Sequence, residues 1–125
     1  MLYLLDTHTL LWWFADPSRL LAKTREVIAE PTNAVMISSV STWEIVIKKA
    51  LGKLEVSSKI FDLINEESFS ELPVTIAHTR QLAALPSLHQ DPFDRLLIAQ
   101  AVNEKATIIT RDKVFEKYPV LLLKA

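Results

Sequence analysis

Four short, uninterrupted apolar runs constrain the fold of this chain more than any other feature of its sequence. They are LYLL (residues 2–5), AVMIS (34–38), ATIIT (106–110) and VLLL (120–123). A continuous apolar run of this length, bounded by polar residues, is typical of a strand that is covered on both faces. Because parallel strands are joined by crossover connections, usually helices, the segments between these runs should be helical.

The intervening segments place apolar residues at helical spacing. Helices are predicted for residues 18–30, 39–54, 58–67, 75–85 and 112–118, with another that starts at Asp91 and a short strand within 69–74. In the helix of residues 39–54, Gly52 suits the C-terminal cap, and the residues expected to point inward are Val40, Trp43, Ile47, Ala50 and Leu51. The alternation of strands and helices predicts one α/β domain, residues 1–125, around a mostly parallel sheet.

Composition excludes several functional classes. Half of the 125 residues are hydrophobic and 23% are charged, which is the balance of a compact domain rather than a disordered chain. No cysteine is present, so disulfides and thiolate metal sites are excluded, and the single glycine leaves no glycine-rich phosphate loop. The opening MLYLL lacks a basic region and meets Asp6 at once, so it resembles neither a signal peptide nor a membrane span. We therefore expect a cytoplasmic protein.

Four acids occur where predicted strands end or predicted helices begin. Asp6 ends the first strand and Asp112 follows the strand TIIT, while Glu44 and Asp94 lie in the opening turns of two helices. Parallel strands bring such points to one edge of the sheet, and ligands of α/β proteins gather at that edge. Residues far apart in the sequence are therefore predicted to converge there.

Each acid also has a structural explanation, because carboxylates commonly cap helices. STWE (residues 41–44) matches a capping box, with Lys48 as a salt-bridge partner one turn after Glu44. Asp6 and Asp112 could cap the segments that follow them. In DPFD, Asp91 precedes Pro92 and is the better cap, which leaves Asp94 free.

Asp94 and Asp6 favour a second role for the acids, as ligands of a cation. Asp94 lies on the helical face of Leu97, Ile98 and Ala101, so its side chain should point inward. Asp6 continues a strand that reads as central, where an unpaired buried carboxylate is costly. Four carboxylates in one pocket would need a cation, and oxygen ligands favour Mg²⁺ or Mn²⁺.

A divalent ion in such a site suits phosphodiester hydrolysis without a covalent nucleophile. Nearby basic residues could contact phosphate despite a net charge of only −1, although each is individually explained as ordinary solvated surface. The strongest candidates are Lys48, Arg95 and Arg111, followed by Lys49 and Lys53. The histidines lack close ligand spacing: His78 and His89 receive no role, and His8 could approach phosphate beside Asp6.

The motifs LLDTHTLLW, SSVSTWEIVIKKALGKL, DPFDRLLIAQA and TIITRD, in this order, resemble a PIN domain, in particular toxins of the VapC type from toxin-antitoxin pairs. The resemblance extends over essentially the whole chain. It implies a Rossmann-like three-layer α/β/α fold and a ribonuclease that depends on Mg²⁺ or Mn²⁺. The acidic quartet of that family falls on Asp6, Glu44, Asp94 and Asp112.

The same resemblance implies supporting residues and partners. Thr110 matches the hydroxyl residue that often supports the site, and Thr7 and Ser39 are weaker candidates. An RNA substrate, a homodimer and a cognate antitoxin that covers the active-site groove are the implied partners. The aromatic run LLWWFA (residues 10–15) could line a partner groove or pack in the core, and Trp43 is expected in the core.

Two other functions fit parts of the pattern. An aspartate-based phosphotransfer protein also places acids at strand ends, but it needs an acidic pair at the first strand and a lysine after a late strand, whereas this chain has LLDTHT and TRD. A non-catalytic RNA- or protein-binding module would use the acids only as helix caps.

Overall fold

The computed structural model describes residues 1–125 around one five-stranded sheet in which every pair of neighbouring strands is parallel. The strand order is β3-β2-β1-β4-β5, so β1 is central. The strands are β1 (Leu2–Leu5), β2 (Ala34–Ser38), β3 (Ser70–Leu72), β4 (Thr107–Thr110) and β5 (Leu121–Lys124). The prediction of an α/β domain around a mostly parallel sheet is confirmed.

Six α-helices and two short 3-10 helices connect the strands. The 3-10 helices cover Pro17–Arg19 and Lys113–Lys117. The α-helices are α1 (Thr7–Ala15), α2 (Ala22–Ala29), α3 (Ser39–Ala50), α4 (Ile60–Glu66), α5 (Ile76–Ala84) and α6 (Pro92–Glu104). None of them is both long and apolar enough to cross a membrane.

The core consists of two apolar clusters, one on each face of the sheet. Alternate residues of a strand point to opposite faces, so Leu4 of β1 belongs to one cluster and Leu5 to the other. Helix α6 contributes Leu97 and Ile98 to the first cluster. Helices α1, α2 and α3 contribute Leu10, Ile28 and Ile45 to the second. The predicted three-layer arrangement is therefore confirmed.

Helix α3 differs from its prediction in the face that it buries. Its buried residues are Val40, Ser41, Glu44 and Ile45. Trp43 is 52% exposed, so the prediction that it lies in the core is wrong. Ala50 and Leu51, expected inward, are also exposed. Hydrophobicity alone misplaced the inward face because that face carries two polar residues.

The beginning of α3 also corrects the capping-box interpretation of STWE. The helix starts at Ser39, and the Ser38 side chain caps it by accepting a hydrogen bond from the backbone N–H of Val40. Ser41 is therefore already inside the helix, and Glu44 is not needed for capping. At the other end, Gly52 has a φ of +70°, a left-handed conformation that glycine adopts without strain.

Candidate metal centre at the carboxyl edge of the sheet

Asp6 lies directly after the central strand β1 and is 6% exposed. Its Oδ1 accepts a hydrogen bond of 2.9 Å from the backbone N–H of Thr9, which makes it the N-cap of α1. Its Oδ2 accepts a hydrogen bond from the Thr110 hydroxyl at the end of β4. Burial raises the pKa of Asp6, and the hydrogen bonds from Thr110 and Thr9 oppose that rise.

Thr110 connects Asp6 to the segment that carries Asp112. While its hydroxyl donates to Asp6, its oxygen accepts a hydrogen bond of 3.1 Å from the backbone N–H of Asp112. Asp112 is exposed, and its own carboxylate caps the 3-10 helix Lys113–Lys117 through the backbone N–H of Val114 at 3.0 Å. One hydroxyl thus fixes two acids that are distant in the sequence.

Glu44 is 3% exposed and points from α3 toward the first residues of α1. Its Oε1 accepts a hydrogen bond of 2.6 Å from the Thr7 hydroxyl, which also lies 3.1 Å from the Ser41 hydroxyl oxygen. Its Oε2 forms an ion pair with Lys48, one helical turn away. The hydrogen bond to Glu44 is the main reason that the pKa of Lys48 is raised.

Asp94 lies in the first turn of α6, and its side chain is 18% exposed. The helix begins at Pro92 and is capped by Asp91, whose carboxylate accepts from the backbone N–H groups of Phe93 and Asp94. The predicted cap is therefore confirmed. Burial raises the pKa of Asp94 to about 6; a hydrogen bond from His89 opposes the rise, while the charges of Asp91 and Glu44 add to it.

Three potential ligands converge at this edge. One atom each of His89, Asp94 and Asp112 lies within 4.8 Å of the other two. His89 Nε2 and Asp94 Oδ2 are 2.8 Å apart. Carboxylate and imidazole groups at such separations suit a divalent cation, because its ligands surround one point. The residues present therefore fit the metal that the sequence predicts.

Asp6 and Glu44 lie outside this group of three. Asp6 borders it through the Thr110 hydrogen bonds, and Glu44 through its charge, which contributes to the raised pKa of Asp94. A small cavity lined by Asp6, His8, Trp12, Arg111 and Asp112 opens beside the centre. The four predicted acids therefore lie at one edge of the sheet, and two of them, Asp94 and Asp112, belong with His89 to a group of three at ligand distance.

His89 is the residue that sequence reasoning missed. It lies in the irregular segment between α5 and α6, where neither helical nor strand periodicity predicts the direction of a side chain. The signal available in the sequence was its position two residues before the helix cap Asp91. A histidine so close to the beginning of α6 lies within reach of the first helical turn, which carries Asp94.

The predicted basic contacts occupy different environments. Lys48 is paired with Glu44, and its Nζ lies 5.9 Å from the centre of the Phe93 ring. The Nε atom of Arg95 is buried without a hydrogen-bond partner. Arg111 stacks over Trp12 at 4.6 Å and donates to the backbone carbonyl oxygens of two other residues. Those two residues are Arg19 and Ala125.

The weaker polar candidates also separate. Thr7 is buried and bonded to Glu44, as described above. Ser39 is half-buried and lines a different cavity, which it shares with Ser38 at the end of β2, with Thr42 of α3 and with residues near β3. The structure therefore gives Thr7 a contact with a predicted acid, and it places Ser39 beside the neighbouring cavity.

An apolar groove adjoins the acidic edge. Helix α1 contributes Leu11, Trp12 and Phe14, and the segment around α4 contributes Leu54, Val56, Ile60 and Leu63. Trp12 and His8 line both this groove and the small cavity beside Asp6. Leu10, in contrast, is fully buried. Some side chains of the aromatic run LLWWFA therefore pack in the core, and others line the groove.

The fold and the site together define a class: a three-layer α/β protein with a wholly parallel sheet and carboxylates collected at its carboxyl edge. Residues 3–121 match the family model described as the PIN domain. Because this match spans nearly the whole chain, the protein belongs to the PIN-domain family, and that part of the predicted resemblance is confirmed.

Among characterised relatives, the chain is similar to Ribonuclease VapC22 of Mycobacterium tuberculosis, with 26% identity over 113 residues that cover 88% of this chain and 86% of the relative. Its fold is similar to that of VapBC2 from Rickettsia felis, solved with a promoter DNA fragment (TM-score 0.77, 20% identity, 98% of both chains). It is also similar to DNA-bound VapBC from Salmonella typhimurium (TM-score 0.68, 21% identity, 99% and 98% of the chains).

Proposed function

We propose that this protein is a metal-dependent endoribonuclease of the VapC type, the toxin of a type II toxin-antitoxin pair that acts in the cytoplasm. The observation that carries the proposal is the convergence of Asp94 and Asp112, from different ends of the α6–β4 unit, at ligand distance. Their position in a PIN domain that is similar to a ribonuclease supports the same activity.

Asp94 and Asp112 would hold the Mg²⁺ or Mn²⁺ ion, with Asp6 and Glu44 completing the negative charge around it. When bound, such an ion neutralises charge on a phosphodiester and lowers the pKa of an attacking water. No side chain at this edge needs to act as a covalent nucleophile. The acids alone repel one another, so a cation also explains how they can share a confined edge.

The supporting residues keep the acids in place. The Thr110 hydroxyl fixes Asp6 and the backbone of Asp112 at once, so the two acids move as one unit. Lys48 offsets the buried charge of Glu44. Rigid placement of this kind matters because small displacements of catalytic groups reduce rates strongly.

The RNA backbone would contact the basic residues around the edge. Lys48 and Arg95 lie on the two helices that carry Glu44 and Asp94, and Arg111 precedes Asp112. Arg111 is held by backbone carbonyl groups and by Trp12, so it offers a fixed rather than a flexible positive charge. Phosphate contacts of this type position a substrate without reading its sequence.

The test compares the unmodified protein with Asp94→Asn. Purified bulk transfer RNA, ribosomal RNA and one synthetic messenger RNA are incubated with Mg²⁺ or Mn²⁺, with and without chelator. We expect cleavage of at least one RNA by the unmodified protein, loss of that cleavage with chelator, and a reduction of about 100-fold or more in Asp94→Asn. Growth arrest on expression should follow the same pattern.

Asp62→Asn is the matched control, because Asp62 also lies in the first turn of a helix, α4, but belongs neither to the group of three ligands nor to the cavity beside Asp6. It should cleave like the unmodified protein. If folded Asp94→Asn protein cleaves RNA at the unmodified rate, the proposed site is wrong. If no variant cleaves RNA but the acids still stabilise the fold, the non-catalytic binding module is the better interpretation.

The apolar groove beside the site is the surface that we assign to the cognate antitoxin. Its wall combines Trp12, which borders the acidic edge, with apolar residues of α4. A partner segment in this groove would reach the metal centre and block RNA. Co-expression with the small protein encoded by the neighbouring gene should restore growth, and Leu63→Asp in the groove should abolish that rescue without abolishing RNA cleavage.

A homodimer is the second assembly that we propose. Trp43 and Val46 are neighbours on the surface of α3 with exposed fractions of 52% and 50%, and Leu51, directly after the helix, is 63% exposed. Such side chains are commonly covered by another protein surface. Sedimentation should give a dimer for the unmodified protein and a monomer for Val46→Asp; an unmodified monomer would contradict the proposal.

A further inference from the structure

His89 is held in a defined position beside the acids. The buried hydroxyl of Tyr118 accepts hydrogen bonds from the backbone N–H groups of Leu88 and His89, at 3.2 and 2.9 Å. This anchors the segment before α6 to the segment that leads into β5. The His89 side chain is 23% exposed, so it is largely withdrawn from solvent and directed toward Asp94.

The geometry of the His89 and Asp94 side chains matches two neighbouring ligands of one ion. Octahedral ligands at about 2.1 Å from a metal lie about 3 Å apart when they are adjacent. The observed separation of Nε2 and Oδ2 is 2.8 Å. Asp112 places an oxygen within 4.8 Å of both, which suits a third position around the same ion.

We infer that His89 is a nitrogen ligand of the divalent ion, beside Asp94 and Asp112; this inference rests on the proposed metal-dependent function. Ligation uses the lone pair of Nε2, so the neutral ring carries its proton on Nδ1. Without the ion, Nε2 and the Asp94 carboxylate instead share the hydrogen bond that the structure contains.

A nitrogen ligand has a consequence for metal choice. Mg²⁺ prefers ligands that are all oxygen atoms, whereas imidazole nitrogen suits transition metals. Transition metals therefore bind a mixed nitrogen and oxygen site more tightly than Mg²⁺ does. The centre should therefore prefer Mn²⁺ over Mg²⁺ by more than a site built from carboxylates alone. Removing His89 should reduce that preference.

The test measures the metal directly. The full chain is loaded with Mn²⁺, and pulsed electron paramagnetic resonance detects ¹⁴N nuclei coupled to the ion. We expect a ¹⁴N coupling in the unmodified protein and in His8→Gln, and its loss in His89→Gln and His89→Asn. Titration should show Mn²⁺ affinity reduced by about 10-fold or more in both His89 variants, with a smaller change for Mg²⁺.

His8→Gln is the matched control because His8 lines the cavity beside Asp6 and Asp112 but lies outside the group of three ligands. A ¹⁴N coupling that survives in His89→Gln, or one that is absent from the unmodified protein, would overturn the assignment. A second result would also overturn the assignment: lower Mn²⁺ affinity in the His89 variants but no ¹⁴N coupling in the unmodified protein. In that case His89 supports the site only through its hydrogen bond and does not coordinate the ion.

Asp94→Asn separates this inference from the proposed function. If Mn²⁺ binds and its affinity depends on Asp94, but no ¹⁴N coupling is present, only the role of His89 is wrong. If the unmodified protein binds no Mn²⁺ at all, both fail. Circular dichroism of each variant establishes that a lost signal reflects the metal centre rather than the fold.

Discussion

Asp6 and Glu44 differ from Asp94 and Asp112 in the partners that their carboxylates find within the chain. Asp6 and Glu44 are almost fully buried, and each accepts a hydrogen bond from a threonine hydroxyl. Asp94 and Asp112 are more accessible, and their ligand atoms lie within 4.8 Å of each other and of His89. The first pair is therefore built into the fold, whereas the second pair belongs to the group of three residues that could hold a cation.

Acids at one edge of a sheet can therefore have different energetic roles. The buried pair must be satisfied by the protein itself, since an unpaired buried charge is costly. The more accessible pair is open to a further partner, and in the function that we propose this partner is a divalent ion. Variants of the two pairs should consequently separate effects on stability from effects on metal binding.

The largest expected effect on stability concerns the charge of Asp94. Burial raises its pKa from 3.8 to about 6. Because the folded pKa lies above the unfolded one, the contribution to stability is complete below pH 3.8 and is lost as the pH rises through 6. A shift of about two units corresponds to ~3 kcal/mol. In Asp94→Asn, the free energy of unfolding should fall by that much less between pH 4 and 7. Urea titration in the presence of a chelator measures the free energy of unfolding at each pH.

The pKa of Asp6 is raised in the same direction, so some decline should persist in Asp94→Asn. Asp62→Asn serves as the control and should keep the full pH dependence. Adding Mn²⁺ to the unmodified protein at pH 7 should recover stability. If the free energy of unfolding has the same pH dependence in Asp94→Asn and in the unmodified protein, burial does not raise the pKa of Asp94.

Removing the shared hydroxyl should have the next largest effect. Thr110→Val takes away the hydrogen bond to Asp6 and the acceptor for the Asp112 backbone. Leaving buried polar groups unsatisfied typically costs about 1–3 kcal/mol. Urea unfolding at pH 7 measures this cost, and Thr110→Ser, which keeps the hydroxyl, should recover most of it. Equal stability of the two variants would contradict a structural role for this hydroxyl.

A smaller effect is expected when the anchor of the His89 segment is removed. Tyr118→Phe deletes the acceptor for the backbone N–H groups of Leu88 and His89. The cost should be about 0.5–1.5 kcal/mol. Amide hydrogen exchange should accelerate at these two residues, while Tyr3→Phe, the same deletion in β1, should leave their exchange unchanged. Unaltered exchange in Tyr118→Phe would mean that the segment is held by other contacts.

The smallest effect on stability should come from Asp112→Asn. Asp112 is exposed, and asparagine also caps helices, so the free energy of unfolding should change by less than about 0.5 kcal/mol. The affinity for Mn²⁺, measured by titration, should nevertheless fall because one oxygen ligand loses its charge. Large destabilisation together with unchanged Mn²⁺ affinity would place Asp112 with the buried pair instead.

The sequence predicted the sheet and its acidic edge because both depend on local patterns. Uninterrupted apolar runs identified β1, β2, β4 and β5, and parallel connectivity then required their carboxyl ends to lie together. Asp6 follows β1 directly and Asp112 lies two residues after the end of β4, so their placement needed no knowledge of packing. The cap Asp91 was predictable for a similar reason, since Pro92 fixes the start of α6.

Two features were not predictable from such patterns. The buried face of α3 includes Ser41 and Glu44, so the predicted apolar stripe was right at Val40 but wrong at Trp43, Ala50 and Leu51. The position of His89 depends on Tyr118, which lies 29 residues further along the chain, and no local rule connects them. Both errors concern places where polar groups, rather than apolar ones, decide the packing.

The hydrogen bond between Thr110 and Asp6 joins residues that are 104 positions apart, and β1 pairs with β4 over a similar distance. During synthesis the chain emerges from its N-terminus, so Asp6 and Glu44 leave the ribosome long before Asp112. The acidic edge therefore cannot be complete on an unfinished chain. In the function that we propose, the chain would therefore gain its nuclease chemistry only after the strand that precedes Asp112 joins the sheet.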